Sequence, residues 1–493
     1  MNQTRRNFLK TMTVSTAGLV IVPSKVVSGL GYTAPSDRMN IAGIGIGGKG
    51  HANILGMKTE NIIGLCDVDW QYAGYCFKEF PNAGKYKDWR RMFDELGKSI
   101  DGVIVATPDH THALIAATAI TMGKHVYCQK PLTHSIYESR LLTKLSEKYK
   151  VATQMGNQAN SGDGVRQLCE WIWNGEIGEV REVHAWTDRP LWPQGLARPE
   201  QAMKVPATLD WDLFTGPAPM RPYHEIYTPW NWRGWWDFGT GAFGDMACHV
   251  LDPVFSSLKL GYPNKIQGNS SLINTESGPQ SEKVEFSFPA RDNLSKLALP
   301  EVKVYWYDGG LLPNRPDLLP DGIDLMRDGL GGCLFVGSKD ILLCDCGGFN
   351  PRLLSGRIPD VTPYLRRIPG ATGYHDGYHE QDWIRACKES PDNRTETSAN
   401  FSYAGPFSEM VLLGVLAIRL QGLKKILQWD GPAMKFTNIS PAEELKVLIK
   451  NDFQIVNGHP TPITKYETLN ALETAKEYIR HTYREGWKLP DMP

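Results

Sequence analysis

Residues 39–51 read Met-Asn-Ile-Ala-Gly-Ile-Gly-Ile-Gly-Gly-Lys-Gly-His, and after a short helical stretch the chain continues Asn-Ile-Ile-Gly-Leu-Cys-Asp to residue 67. This is an apolar strand, a glycine-rich loop (Gly45, Gly47, Gly48, Gly50), a helix, a second strand and a terminal acid. Glycine lets the chain turn sharply and lets backbone N–H groups approach a pyrophosphate, toward which the following helix points its positive end. Asp67 lies 22 residues after Gly45, close to the spacing of about 20 for an acid that binds the adenosine ribose. A lone G-x-G-x-x-G constrains little. Flanked by two strands and closed by an acid, it predicts a dinucleotide site.

The same alternation continues to about residue 155. Strands are expected at 39–45, 61–67, 101–106, 125–128 and 151–155, with helical patterns at 49–57, 70–79, 89–97, 111–122 and 135–149. Short apolar strands separated by helices predict a buried parallel sheet, an α/β Rossmann domain over 39–156, with ligands at the strands' carboxyl ends. Beyond about 160 the pattern changes. A helix at 162–174 and a strand at 179–188 lead into a Pro/Trp-rich stretch reaching Trp236. A Gly-rich helix follows at 241–258. Strands at 282–288, 298–306, 332–336 and 340–344 then show period-two alternation, as in Lys-Val-Glu-Phe-Ser-Phe. That pattern predicts an α+β domain over 157–493 with an open antiparallel sheet. An irregular insertion is expected at 307–331, and helices at 376–388, 404–421 and 466–482.

Residues 1–38 stand apart from both. Thr4-Arg5-Arg6-Asn7-Phe8-Leu9-Lys10 precedes an apolar run too short and too interrupted to span a bilayer. It reads as a twin-arginine export signal, whose pathway carries folded cargo to the periplasm and which can stay on as an anchor. No other transmembrane span is expected. A net charge of −1 gives no reason to expect a nucleic-acid partner. Nine cysteines form no paired framework, consistent with folding in a reducing compartment before export. Cys344-Asp-Cys346 has no second pair at metal spacing, so no metal site is read.

Three further motifs carry chemistry. Ala106-Thr107-Pro108-Asp109-His110-Thr111-His112 closes the third major strand, where Thr107 and His110 are candidates to reach cofactor phosphates or ribose. Gln129-Lys130-Pro131 leaves the next strand at the sheet's carboxyl edge. A lysine there can hydrogen-bond a substrate hydroxyl and stabilise the alkoxide that forms as hydride leaves. Gly244-Asp245-Met246-Ala247-Cys248-His249 places Asp245 and His249 at i and i+4 on one helical face, a base with a carboxylate to orient it. Asn157, after the last parallel strand, is a candidate for the nicotinamide ribose. Trp186, Arg189 and Trp192 are candidates for a sugar, offering aromatic faces and a polar hand. His379 is a candidate for the substrate pocket. His375 and His379 lack the His-Glu-x-x-His order of a metal pair.

Together the Gly-rich turn, Asp67, the Ala-Thr-Pro-x-His-x-His turn, the Lys-Pro pair and the Asp-x-x-x-His helix resemble the Gfo/Idh/MocA family (glucose–fructose oxidoreductase, inositol dehydrogenase), in its long exported branch. The resemblance implies a Rossmann domain, an open sheet that binds substrate and supports homo-oligomers, and NAD(P)-dependent chemistry on sugars or cyclitols. It assigns catalysis to Lys130, Asp245 and His249, and cofactor contact to Gln129 and Lys130. One departure stands out: the family's Glu before that lysine is Gln129 here. Asp67 favours NAD over NADP, because a carboxylate repels the extra phosphate. Export implies tightly held NAD. Two alternatives remain open: a glycosidase that oxidises its substrate transiently, and a sugar-binding protein without catalysis.

Overall fold

The computed structural model describes residues 37–326, 330–372 and 377–493. The twin-arginine segment, residues 327–329 of the expected insertion, and His375 lie outside the described residues.

The first unit is a six-stranded parallel sheet in the order β3-β2-β1-β4-β5-β6, built from Asn40–Ile44, Asn61–Cys66, Gly84–Tyr86, Gly102–Val105, His125–Cys128 and Thr153–Met155, numbered β1 to β6 in chain order. Its strands are short and nearly all apolar because helices cover both faces. On one face Ile115, Ala116 and Ile120 of the helix Asp109–Thr121 meet Leu141, Leu142 and Leu145 of the helix Ile136–Tyr149. On the other, Ile54 of the helix Lys49–Gly56 shares a core with Trp383 and Ile384, which arrive from the distant helix Tyr378–Cys387. β3 is an added edge of three residues, too short to leave a periodic signal. The helix Ile136–Tyr149 starts on a capping box: Ser135 accepts from the Glu138 N–H, while the Glu138 carboxylate accepts from the Ser135 N–H.

The second unit holds a nine-stranded sheet. Its strands are β7 (Val180–Trp186), β8 (Lys265–Ser270), β9 (Glu282–Phe288), β12 (Val302–Tyr307), β13 (Gly332–Gly337), β14 (Ile341–Asp345), β15 (Arg352–Leu353), β16 (Leu427–Asp430) and β17 (Lys435–Phe436), in the order β15-β14-β13-β7-β12-β9-β8-β16-β17. The hairpin β10–β11 (Arg291–Leu294, Leu297–Leu299) connects β9 to β12. Pairings are antiparallel except β7–β12, which is parallel because more than a hundred residues of crossover separate the two strands. One face packs on the helices Gly241–Val250, Asp252–Ser257 and Phe401–Arg419. The last is long and apolar, and most of it is buried against the helix Ile136–Tyr149 and the sheet.

Two elements differ from expectation. The Gly-rich helix is two helices, broken at Leu251. The region expected as a helix over 466–482 begins as strand. β18 (Glu444–Val456) and β19 (His459–Asn470) form a long hairpin, and the helix runs only over Ala471–Ile479. Asn470 sets that boundary, its side chain accepting from the Glu473 N–H as an N-cap.

Candidate active site

The glycine loop lies where β1 gives way to the helix Lys49–Gly56, and the backbone explains each glycine. Gly45 has φ +77°, and a Cβ there would sit 2.6 Å from the backbone of Ala106 and Thr107. A Cβ on Gly50 would fall 1.9 Å from the Gly45 carbonyl oxygen, so the helix can abut the loop only without a side chain. Gly47 faces the Tyr72 ring, which a Cβ would strike at 2.3 Å. Asp67, at the end of β2, accepts from the Gly47 N–H at 3.0 Å and from the Asp69 N–H at 2.9 Å. Burial pushes its carboxyl up to about 6, against the pull of those N–H donors.

Gly45, Gly47 and Asp67 line an open groove. Gly45, Gly47, Gly48, Asp67 and Thr107 form its floor, with Lys49 among them. Its roof comes from elsewhere: Leu209, Leu213, Trp230, Trp232, Arg233 and Trp487. The Pro/Trp-rich stretch makes its own small core of Trp211, Phe214, Tyr227, Trp235 and Phe238. It is stitched to the end of β2, where Asp210 N–H donates to the Val68 carbonyl at 2.9 Å and Trp70 N–H to the Thr208 carbonyl at 3.2 Å. The C-terminal segment straps over it. Arg484 donates to Asp212 at 2.6 Å and to the Gly216 carbonyl at 3.0 Å, and Arg90 stacks on Trp487 at 4.6 Å.

Beside the groove lies an ion-pair cluster. Lys130 Nζ donates to Asp245 Oδ1 at 2.6 Å and to the Asp245 carbonyl at 3.0 Å. Arg233 Nε reaches the same Oδ1 at 3.2 Å, its guanidinium held between Trp230 and Trp232 at 4.0 and 4.3 Å. Arg233 thus belongs to both groove and cluster. Burial alone would raise the Asp245 carboxyl, but the charges of Lys130 and Arg233 outweigh it and hold the value at about 2. His249, one turn on, is pushed down to about 3 by burial and by Lys130, so its ring is neutral at ordinary pH. Asp109 is the opposite case. Burial and the neighbouring charge of Asp245 push its carboxyl up to about 7, against the pull of Lys130 and of the Thr240 hydroxyl that donates to it at 2.9 Å.

Other expected residues act at one remove. Gln129 donates to Asn53 Oδ1 at 2.9 Å and packs against Gly156. Asn157 donates to Asp252 Oδ1 at 3.1 Å. Both brace the cluster's surroundings and neither lines the groove. The ring of His112, for which no role was expected, lies between the carbonyls of Thr107 and Pro131, each at 2.8 Å, and so ties the Thr107 turn to the Lys130 turn.

Five expectations are corrected. His110 does not face the groove; it is buried between the carbonyls of Phe238 and Phe214, at 3.2 and 3.0 Å, where it anchors the roof segment. Trp186 is fully buried under the 307–331 insertion, donating to the Leu325 carbonyl at 3.1 Å. Arg189 pairs with its neighbour Asp188. Trp192 is buried, donating to Gln194 at 2.9 Å beneath the turn that carries Arg233. His379 lies under β6, its Nε2 on the Met155 carbonyl at 2.7 Å and its Nδ1 on Ser161 at 2.6 Å. Among the described residues no His, Cys, Asp and Glu side chains gather as a metal would require.

Residues 38–157 match the family model of the Gfo/Idh/MocA oxidoreductases described as an NAD-binding Rossmann fold, and residues 182–280 match that family's C-terminal alpha/beta domain. The chain belongs to the Gfo/Idh/MocA family. Its first unit is therefore an NAD-binding Rossmann fold, and the glycine floor, the helix N-terminus and Asp67 fit that cofactor. Among curated relatives it is 31% identical over 143 residues to glucose-6-phosphate 3-dehydrogenase of Bacillus subtilis, covering 28% of this chain and 39% of that one. It is 26% identical over 204 residues to a glycosyl hydrolase family 109 protein of Shewanella pealeana, covering 36% and 45%. The chain thus spans less than half the length of these relatives. A solved levoglucosan dehydrogenase in complex with NADH shares the fold, with TM-score 0.52, 16% identity, and coverage of 78% of this chain and 97% of that one.

Proposed function

We propose that the chain is an NAD-dependent oxidoreductase that removes hydride from a carbohydrate or cyclitol hydroxyl carbon, with NAD held as a resident cofactor. The observation that carries this reading is the Lys130–Asp245–Arg233 cluster beside the NAD groove. Bound NAD supplies the hydride acceptor. Asp245, fully ionised, fixes Lys130 Nζ, which donates a hydrogen bond to the substrate oxygen and stabilises its growing negative charge. His249, neutral, takes the hydroxyl proton, and the C–H carbon becomes a carbonyl carbon. Residence of the cofactor is supported by the roof, since Trp230, Trp232 and Trp487 cover the groove and two separate segments hold them there. A resident cofactor suits export through the twin-arginine pathway to a compartment without free NAD, the localisation we propose from residues 4–10.

The similarity to a glycosyl hydrolase family 109 protein favours a second reading on the same residues, in which oxidation is transient and a glycosidic substituent is eliminated before hydride returns. One experiment separates them. Purified protein, with no added NAD, is given free sugars and aryl glycosides. A keto-sugar accumulating with matching NADH supports the dehydrogenase, and aglycone release without net NADH supports the glycosidase. A protein that purifies without nucleotide and is indifferent to Lys130→Ala and His249→Ala leaves only sugar binding.

A further inference from the structure

A cleft at the base of the β18–β19 hairpin shares no residue with the NAD groove. Three parts of the second unit meet there: the end of β8 with the turn after it, the last turn of the helix Phe401–Arg419, and the hairpin's base with the helix Ala471–Ile479. Three cations line it, Arg419, Lys424 and Lys446, against the one carboxylate of Glu444, an excess of two positive charges. The whole chain has a net charge of −1, so this excess is local.

Among the described residues none of the three cations pairs with a carboxylate, whereas the adjacent Lys425 is taken by Glu443 at 2.6 Å. Aromatic rings hold two of them instead. The Arg419 guanidinium lies 3.5 Å from the Tyr478 ring centroid and 5.2 Å from that of Trp236, and Lys446 Nζ lies 4.3 Å from that of Tyr466. The carbonyl end of its helix also favours a cation at Arg419. A guanidinium held by its face keeps its N–H edge for a carboxylate or sulfate. The rest of the cleft suits hydroxyl groups. Among the described residues the Thr275 side chain makes no hydrogen bond, and Ser271 Oγ accepts from the Ser281 N–H at 3.1 Å while keeping its own proton to donate. Tyr466, 48% exposed, adds ring surface on which sugar C–H groups can pack.

We propose that this cleft is a second carbohydrate site, which binds an acidic saccharide with its carboxylate or sulfate on Arg419, Lys424 and Lys446 and its ring against Tyr466. Each half of the cleft alone would suit a simpler ligand. A bare polyanion uses only the cations, and a neutral sugar uses only Tyr466 and the hydroxyls. An acidic saccharide uses both, which is what distinguishes it from either. The inference goes beyond the reading of the catalytic cluster and does not rest on it, because binding in the cleft requires neither NAD nor Lys130.

The test is titration calorimetry on the full chain with four probes: trigalacturonate, a sulfated trisaccharide, neutral maltotriose and tripolyphosphate. At least one of the two acidic saccharides is expected to bind about tenfold or more tighter than maltotriose, and less tightly as salt is raised. Lys424 and Lys446 are both exposed, so Lys424→Gln/Lys446→Gln should keep the wild-type melting temperature and NAD content while weakening that saccharide about tenfold. Arg419→Gln should weaken it by about tenfold or more on its own. Tyr466→Ala should weaken the saccharide and leave tripolyphosphate as it was. Binding of neither acidic saccharide, or no preference over maltotriose, overturns the proposal. So does a Lys424→Gln/Lys446→Gln protein that binds as wild type. Tripolyphosphate binding as tightly as the saccharide, with both indifferent to Tyr466→Ala, overturns it in favour of a plain anion site.

Discussion

Two glycines at the starts of helices make opposite predictions. In Gly50→Ala the new Cβ would lie 1.9 Å from the Gly45 carbonyl oxygen, 2.9 Å from its carbon and 3.2 Å from the Ala106 Cβ. Ordinary contact begins near 3.4 Å, so the helix must withdraw by about 1.5 Å, and all three neighbours belong to the rigid β1 and β4 turns. Overpacking of this sort costs roughly 1–3 kcal/mol, and the withdrawal takes the helix N-terminus away from the pyrophosphate it serves. Gly74 also begins a helix, but a Cβ there meets nothing within 4 Å and its φ is not positive. Gly74→Ala therefore stabilises by about 0.4–1 kcal/mol through the unfolded chain. The assay is NAD per chain in a denatured extract, together with the melting temperature. Gly50→Ala is expected to lose most of its nucleotide and to melt lower, while Gly74→Ala keeps its nucleotide and melts higher. A Gly50→Ala protein with full NAD and an unchanged melting temperature would refute the close-approach reasoning.

Other substitutions probe the cluster and the roof. Asp245→Asn keeps an acceptor oxygen but removes the negative charge, leaving Lys130 and Arg233 without their counter-ion, so turnover should fall by about 10²–10⁴ and stability by about 3–5 kcal/mol; turnover within a factor of three of wild type would remove Asp245 from the mechanism. Asp109, with its folded-state value raised to about 7, gives stability that is fully present below the unfolded value near 3.8 and is lost as pH rises through 7. Asn cannot ionise, so the stability of Asp109→Asn relative to wild type should rise by about 3 kcal/mol from pH 5 to pH 9, read from denaturant melts; a flat difference contradicts it. His249, held near 3, should put no acidic limb between pH 5 and 8 on the turnover profile, and a histidine limb near 6.5 would contradict this. Trp487→Ala takes away an aromatic wall worth ~1.5–3 kcal/mol, so NAD should leave ten- to a hundredfold faster in a stopped-flow release assay, and an unchanged rate would mean that Trp487 does not hold the cofactor.

The parallel sheet was legible because each strand and helix of a βαβ unit is continuous in sequence and carries its own hydrophobic period. The pairing of Lys130 with Asp245 draws on residues legible for a similar reason, since each sits in a short motif tied to an element's end. The sugar-facing set was not. Trp186, Trp192 and His379 have the chemistry of ligand contacts, but burial depends on which segments close over them, and Trp186 is covered by an insertion more than 120 residues away. Arg233 shows the converse. Its sequence, Trp-Asn-Trp-Arg-Gly-Trp-Trp, holds the signal of a cation flanked by indoles, yet only the fold brings it to Asp245. The long hairpin also had a local signal: Asn457-Gly458 joins Val456 to His459, both turn residues have positive φ, and Asn-Gly is the preferred pair for a two-residue hairpin turn. The helix-forming residues that follow drew the boundary too early.

Gln129 shows how a motif can change without its physics being lost. Read as sequence, the substitution of the family's Glu takes a negative charge from beside Lys130. In the structure a carboxylate stands two hydrogen bonds away. Gln129 donates to Asn53 Oδ1 at 2.9 Å, and Asn53 donates to Glu380 Oε1 at 2.6 Å, with the Tyr127 hydroxyl on the same oxygen at 3.3 Å. Glu380 comes from the helix Tyr378–Cys387 that covers the far face of the parallel sheet, and its charge supports Lys49 in the glycine loop against the cost of that lysine's burial. The neutral amide at 129 is what this arrangement needs: it must donate to Asn53 so that Asn53 can turn its own donor toward Glu380. A Glu at 129 has no proton to give at neutral pH. It would face the Asn53 oxygen without a donor and bury a second carboxylate within reach of the first, which is costly unless one of them takes up a proton. Restoring the family residue at 129 alone would therefore disturb the link from Asn53 to Glu380 and weaken the support that Glu380 gives Lys49.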